Sequence, residues 1–226
     1  MNLLWWDEIQ SAISEVFLEA RVDLPEVNRI THGDSLPLIG AARSISPEAE
    51  YALVFDFGGS FVKRAYARYM DGILAELQCL PSLPTQFATE GQPSDLFNFM
   101  VSTIAQTDLE MSAKGLLLSH QVPVSLAAYI DPNGQPYERQ GGAYAALRTL
   151  SPNVQDTLSA SLAARIGSPI NIQFLHDGSA AACTYAGIPN AAVIMFGTAL
   201  GIGFPPPDSG LRPVSTSFVV REATLF

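Results

Sequence analysis

Three short stretches of this sequence place acids, hydroxyls and clustered glycines where apolar runs end. The first, "ALVFDFGGSFVK" (residues 52–63), leads a buried-looking strand into Asp56, Gly58, Gly59 and Ser60. Glycines at that point admit positive φ and let the backbone approach a ligand with no Cβ in the way, so successive amides can cradle a phosphate. Asp56 at the strand end can orient a magnesium-bound water, and Ser60 adds a hydroxyl. The same residues also suit a plain two-residue hairpin turn. The second stretch, "IMFGTALGIGF" (194–204), repeats the theme with Gly197, Thr198, Gly201 and Gly203, readable as another amide cradle or as a glycine-rich hairpin or bulge. The third, "NIQFLHDGSAAACTYAG" (171–187), delivers His176 and Asp177 to the C-terminal end of a strand, where ligands bind in open α/β sheets. Asp177 can take the proton of an attacking hydroxyl as a general base. The alternative is that Asp177 or Ser179 caps the following helix.

Positioning these groups requires a sheet. From Tyr51 the pattern turns to period two and continuous apolar runs: "YALVFDF", "VKRAYARYM" and "ILAELQCL" read as three strands joined at Gly58-Gly59 and at Asp71-Gly72, a strong hairpin pair. A helix over 94–106, with Ser94 as its N-cap, is followed by a strand within "KGLLLSHQVPVSL". Then come a helix closed by Gly167, the strand "INIQFLHDG", a helix stopped by Gly187 and the strand "AAVIMFG". Three antiparallel strands followed by helix–strand alternation imply a mixed sheet with helices on its faces. A new sheet is expected to begin near Ala191, and "LRPVSTSFVVREATLF" alternates well enough for one or two more strands. Before Tyr51, Trp5, Ile9, Ala12, Ile13, Val16 and Ala20 recur at helical spacing, and a shorter helix is expected around Leu36–Ala42.

The 226 residues suffice for one large domain or two small ones, and with 48% hydrophobic and 15% charged residues they have ample core material. A net charge of −10 leaves no basic stripe for a phosphate backbone or an anionic membrane, so neither nucleic acid nor membrane is expected as a partner. Cys79 and Cys183 have no C-x-x-C spacing, which points away from a disulfide framework or a zinc site and toward a reducing, cytoplasmic location. Asp7, Glu8 and Glu15 interrupt anything in the first twenty residues that resembles a signal or a span.

Together and in this order, the three stretches resemble the actin-like ATPase superfamily, and most closely the ROK group of sugar kinases. Asp56, Gly58, Gly59 and Ser60 match the family's first phosphate loop; Asp177, Ala180, Ala181 and Ala182 match the segment of its catalytic aspartate; Gly197, Thr198, Gly201 and Gly203 match the second phosphate loop. The family's asparagine before that aspartate is His176 here, which by this match is a substrate-binding residue, and Ala199 stands where a glycine is expected. "HGDSLPLIGAARSI" (32–45) is similar to the helix that ordinarily closes the family's chain, which suggests a circular permutation or a coincidence in an Ala/Gly/Leu-rich helix. The resemblance implies an α/β, ribonuclease H-like (actin-like ATPase) fold, a mixed sheet with helices on both faces and an incomplete second domain. The expected organisation is an N-terminal helical segment at 1–49, a first actin-like domain at 50–190 and a partial second domain at 191–226.

The function so implied is an ATP-dependent sugar kinase, with Mg and ATP as cofactors and Asp177 as the base. Its partners would be a nucleotide and a small sugar-like acceptor. The family's E-x-G-H sugar motif and zinc-binding cysteine cluster are not found, so zinc is not expected and activity itself stays open. The alternative is a non-catalytic relative that acts as a ligand-binding or protein-interaction module and forms a homodimer.

Overall fold

The computed structural model describes residues 3–30, 33–85, 92–137, 143–197 and 200–223. It divides into two compact units, Met1–Gly33 and Asp34–Phe226.

The first unit carries helix α1 (Leu3–Glu19), whose less exposed stripe includes Ile9, Ile13 and Phe17 at helical spacing. It ends in a Schellman-type turn: the amide of Val22 donates to the carbonyl of Phe17 and that of Arg21 to Leu18, with Arg21 at φ 54°.

In the second unit a 3₁₀ turn (Gly33–Ser35) leads into α2 (Leu36–Arg43). Strands β1 (Tyr51–Phe57), β2 (Phe61–Met70) and β3 (Ile73–Pro84) follow as an antiparallel meander. The β2–β3 turn is the one expected, with Asp71 and Gly72 both left-handed (φ 52° and 76°) as a type I′ turn requires. Helix α3 (Pro93–Ala113) runs a further two turns past Gln106. Its N-cap is Gln92 rather than Ser94, because Pro93 takes the first helical position, where its missing amide costs nothing, and Ser94 falls inside the first turn.

Next come β4 (Gln121–Leu126), a 3₁₀ segment (Ala143–Thr149), α4 (Val154–Ile166), β5 (Asn171–His176) and α5 (Asp177–Cys183). Gly167, at φ 84°, closes α4 by donating to Ala163 O. Strands β6 (Val193–Phe196) and β7 (Leu200–Gly203) form a separate two-stranded hairpin, and β8 (Val214–Arg221) returns to the main sheet.

The sheet order is β5-β4-β1-β2-β3-β8, with β1, β4 and β5 mutually parallel, β2 antiparallel to both neighbours, and β8 parallel to β3. Period-two alternation splits β1 between two cores. Leu53, Phe55 and Phe57 face α3, α4 and the 3₁₀ segment, whereas Ala52 and Val54 face α2. That second core sets alanines (Ala41, Ala42, Ala52, Ala65, Ala67) among larger residues such as Leu38, Tyr69 and Leu77, and α2 lies so near α5 that a methyl group on Gly40 would overlap the carbonyl oxygen of Ala180. Buried Arg43 fastens this side: it donates to the carbonyls of Arg212 (2.9 Å), Cys183 (2.7 Å) and Thr184 and pairs with Asp208. The mixed sheet with helices on both faces, and β2 reversed beside the parallel β1-β4-β5 set, is the ribonuclease H-like fold.

Candidate functional site

Register brings the first group together. Asp56 on β1 lies directly across from Lys63 on β2 and level with Ser125 on β4. The Ser125 hydroxyl donates to Asp56 Oδ1 at 2.8 Å, and Lys63 Nζ stands 3.6 Å from Oδ2. Lys63 also reaches the exposed carboxylate of Asp34, 3.1 Å away, so its ammonium bridges the strand and the turn ahead of α2. Asp56 is only 4% exposed. Burial pushes its carboxyl above the usual carboxylate range; Lys63 and Ser125 oppose that rise, and the charge of Asp177 adds to it. Asp56 and Asp177, 121 positions apart in the chain, therefore sense each other at one end of the sheet.

The turn after Asp56 differs in detail from the expected cradle. Gly58 is not left-handed; it is required for space, because a Cβ there would lie 2.9 Å from the carbonyl oxygen of Phe61. Its amide is spent within the turn, donating to that same oxygen at 3.0 Å. Its carbonyl accepts from Thr85 Oγ1 (3.0 Å) and from the hydroxyl of buried Tyr144 (3.2 Å). Ser60 pairs through its backbone, accepting from the amide of Thr85 at 2.9 Å. Gly58, Gly59 and Ser60 thus form a hairpin turn pinned from below, with the amide of Gly58 engaged inside it.

The second group forms where β5 meets α5. Asp177 is the first residue of α5, and the N-cap is His176, whose Nδ1 accepts from the amide of Ser179 at 3.3 Å. Asp177 Oδ1 accepts from the amide of Gly178 (2.7 Å) and lies 3.1 Å from His176 Nε2. The imidazole stacks on Tyr129, with ring centroids 4.7 Å apart and planes within 6°. Tyr129 follows β4 and is steadied by its carbonyl, which accepts from the amide of Tyr137 at 2.7 Å.

The β6–β7 hairpin sits directly on this helix start. A methyl group on Gly203 would overlap the Gly178 carbonyl, and one on Gly178 the carbonyl of Ile202. Gly201 faces Asp177, since a Cβ at that position would lie 3.7 Å from Oδ1. Gly201 and Gly203 are therefore brought to Asp177 itself. Gly197 ends β6 in an exposed bend, and Thr198 lies outside the described residues.

Four residues of this site were not singled out in the sequence: Lys63, Asp34, Ser125 and Tyr129. The signal for Lys63 was faint, since it is one of three cations on β2, with Arg64 and Arg68 beside it. Ser125 and Tyr129 carry none, because parallel pairing across about 70 positions leaves no local pattern.

Among the described residues no three metal-ligating side chains converge. Ser125 and Lys63 engage both oxygens of Asp56, so Asp56 and Asp177 suit a hydrated cation held through its waters rather than one bound directly. A cavity of about 340 Å³ lined by Asp108, Ser112, Ser119 and His120 opens at the opposite end of the strands, and no candidate residue lines it.

No family model and no curated protein matches the sequence. Among solved structures, a ROK hexokinase from Thermus thermophilus is 16% identical with a TM-score of 0.41 over 69% of this chain and 47% of its own. The Aquifex aeolicus Ppx/GppA phosphatase, type II variant, is 9% identical with a TM-score of 0.36 over 66% of this chain and 46% of its own. The chain spans less than half the length of either structure. Among the described residues no helix is long and apolar enough to cross a membrane.

Proposed function

We propose that the chain is a nucleotide-binding phosphotransferase of the actin-like fold, with a sugar-like hydroxyl as acceptor and Asp177 as general base. The observation that carries this reading is the convergence of Asp56 and Asp177 at one end of the sheet, each beside a glycine-containing turn. The order of the three motifs along the chain adds the sugar-kinase assignment. Asp56 and Asp177 would hold a magnesium ion through its waters, and the ion would neutralise phosphate charge. Lys63, held at the same end, is a second cation for that charge, and with it Asp56 is balanced when no nucleotide is bound. Since phosphoryl transfer is mostly positioning and electrostatic stabilisation, these groups need only hold donor and acceptor in line while Asp177 receives the hydroxyl proton.

Calorimetric titration with Mg-ATP, repeated on Asp56→Ala, tests the reading. Binding that vanishes in the variant supports it, and no binding at millimolar nucleotide overturns it.

A second reading has its own observation. The outward face of the β6–β7 hairpin presents Ile194, Phe196, Leu200 and Ile202, all exposed, two by two across the ladder. An unpartnered apolar face of this kind marks an interaction surface. It favours an interaction module, for which the partner would be a second copy of the chain. Sedimentation of the wild type against Phe196→Ser decides whether that face joins two copies.

A further inference from the structure

We propose that His176 is a positioning residue for Asp177, with Nδ1 presented to the amide of Ser179 and Nε2 to the carboxylate. This deepens the phosphotransfer reading above and rests on it for its catalytic meaning, but the geometry stands by itself.

The tautomer follows from the partners. The amide of Ser179 is a donor in every state and points at Nδ1 from 3.3 Å, and the Ser179 hydroxyl, 3.5 Å from the same nitrogen, can turn its proton toward it as well, so both contacts are met when Nδ1 presents its lone pair. The proton of a neutral ring is then on Nε2, 3.1 Å from Asp177 Oδ1, where it donates to the carboxylate. Both nitrogens are thereby committed within the chain, and one ring face lies on Tyr129. The His176 side chain is 14% exposed and that of Asp177 24%. His176 thus has no nitrogen left for a substrate; it turns toward the aspartate.

The consequence for Asp177 is directional. The amide of Gly178 and the imidazole N–H both donate to Oδ1, which leaves Oδ2 as the oxygen that takes the proton of an acceptor hydroxyl. One side chain therefore does two things: it caps α5 and sets the rotation of the carboxylate on that helix's first residue.

The chain has three histidines, so nitrogen-15 NMR of the histidine-labelled protein resolves this ring without reference to activity. At neutral pH the His176 signals should be those of a bare Nδ1 and a protonated Nε2, with the Nε2 proton protected from solvent. In Asp177→Ala that proton should exchange into water and its resonance disappear, while Nδ1 stays bare. A proton on Nδ1, or an Nε2 proton unchanged in Asp177→Ala, overturns the proposal.

Two substitutions separate the ring's roles. His176→Asn keeps an acceptor near the Nδ1 position and loses the donor to Asp177; His176→Gln keeps a donor near Nε2 and loses the cap. Once turnover is found, His176→Asn should lower kcat roughly ten- to a hundred-fold with the nucleotide KM within about twofold, as expected when a base is misaligned rather than a ligand lost. An equal loss in nucleotide affinity overturns the proposal. If no nucleotide binds the wild type at all, the phosphotransfer reading falls, and the imidazole proton still decides whether His176 holds Asp177.

Discussion

The two glycine stretches, the turn after β1 and strand β7, are built on opposite principles. The first, after β1, lies inside a network: Asp56 meets Lys63 and Ser125 across adjacent strands, and Gly58 is held from below by Thr85 and Tyr144. Its geometry is fixed by charges and hydrogen bonds among three strands, the residue that follows β3 and a 3₁₀ segment. The second belongs to a two-stranded hairpin that touches α5 through bare backbone, with Gly203 against Gly178, while its other face is apolar and exposed. The turn after β1 is held by polar partners and β7 by the absence of side chains. Losing a partner should therefore hurt the first, and gaining an atom should hurt the second.

The largest effect expected is at Lys63. Removing it in Lys63→Met leaves Asp56 buried with no nearby cation, a class of change that costs ~3–5 kcal/mol in full burial and about 2 kcal/mol here, where the Lys63 side chain is 30% exposed. Urea denaturation measures it, and a loss below about 0.5 kcal/mol would break the comparison by showing that the first turn does not depend on its charge pair. Gly203→Ala should come next, at roughly 1–3 kcal/mol for an overpacked contact, with any nucleotide binding weakened because the hairpin must lift from Asp177. Unchanged melting and unchanged binding would show that the hairpin is not seated on α5.

Asp56→Asn sharpens the comparison in the opposite direction. The folded-state pKa of Asp56 is raised, so the folded chain binds that proton more tightly than the unfolded chain, and stability is lost as pH rises from the unfolded pKa through the folded one. The amide cannot ionise and still accepts from Ser125, so this variant should be more stable than wild type at neutral pH by about 1 kcal/mol. The advantage should shrink toward zero as pH falls below the ordinary carboxylate range. Melting curves across that range check the sign, and an advantage that grows on acidification refutes it. The smallest effect is at Phe196→Ser, within about 0.5 kcal/mol by chemical denaturation, because the side chain is 53% exposed.

Much of the frame was legible. Period-two alternation marked β1 and β2, the Asp71-Gly72 pair marked a type I′ turn, and Gly167 marked the end of α4, since each is a local backbone preference written into a few adjacent residues. The ends of β1 and β5 placed Asp56 and Asp177 where ligands bind in such sheets. The cap of α3 was misplaced because Pro93 competes with Ser94 for the start of the helix, and proline's fixed φ wins. The cap of α5 was sought among Asp177 and Ser179, the usual capping types, but an imidazole nitrogen takes that place.

What the sequence by itself determined is therefore the list of elements and the strand ends that carry acids, because secondary-structure period and turn chemistry act over a few residues. Only the tertiary structure decided the company those acids keep. Lys63 and Ser125 reach Asp56 through strand register, Tyr129 reaches His176 through a loop 47 positions earlier in the chain, and Gly203 reaches Gly178 through a backbone contact. Each of these depends on the long-range pairing of strands, which leaves no period in the sequence to be read.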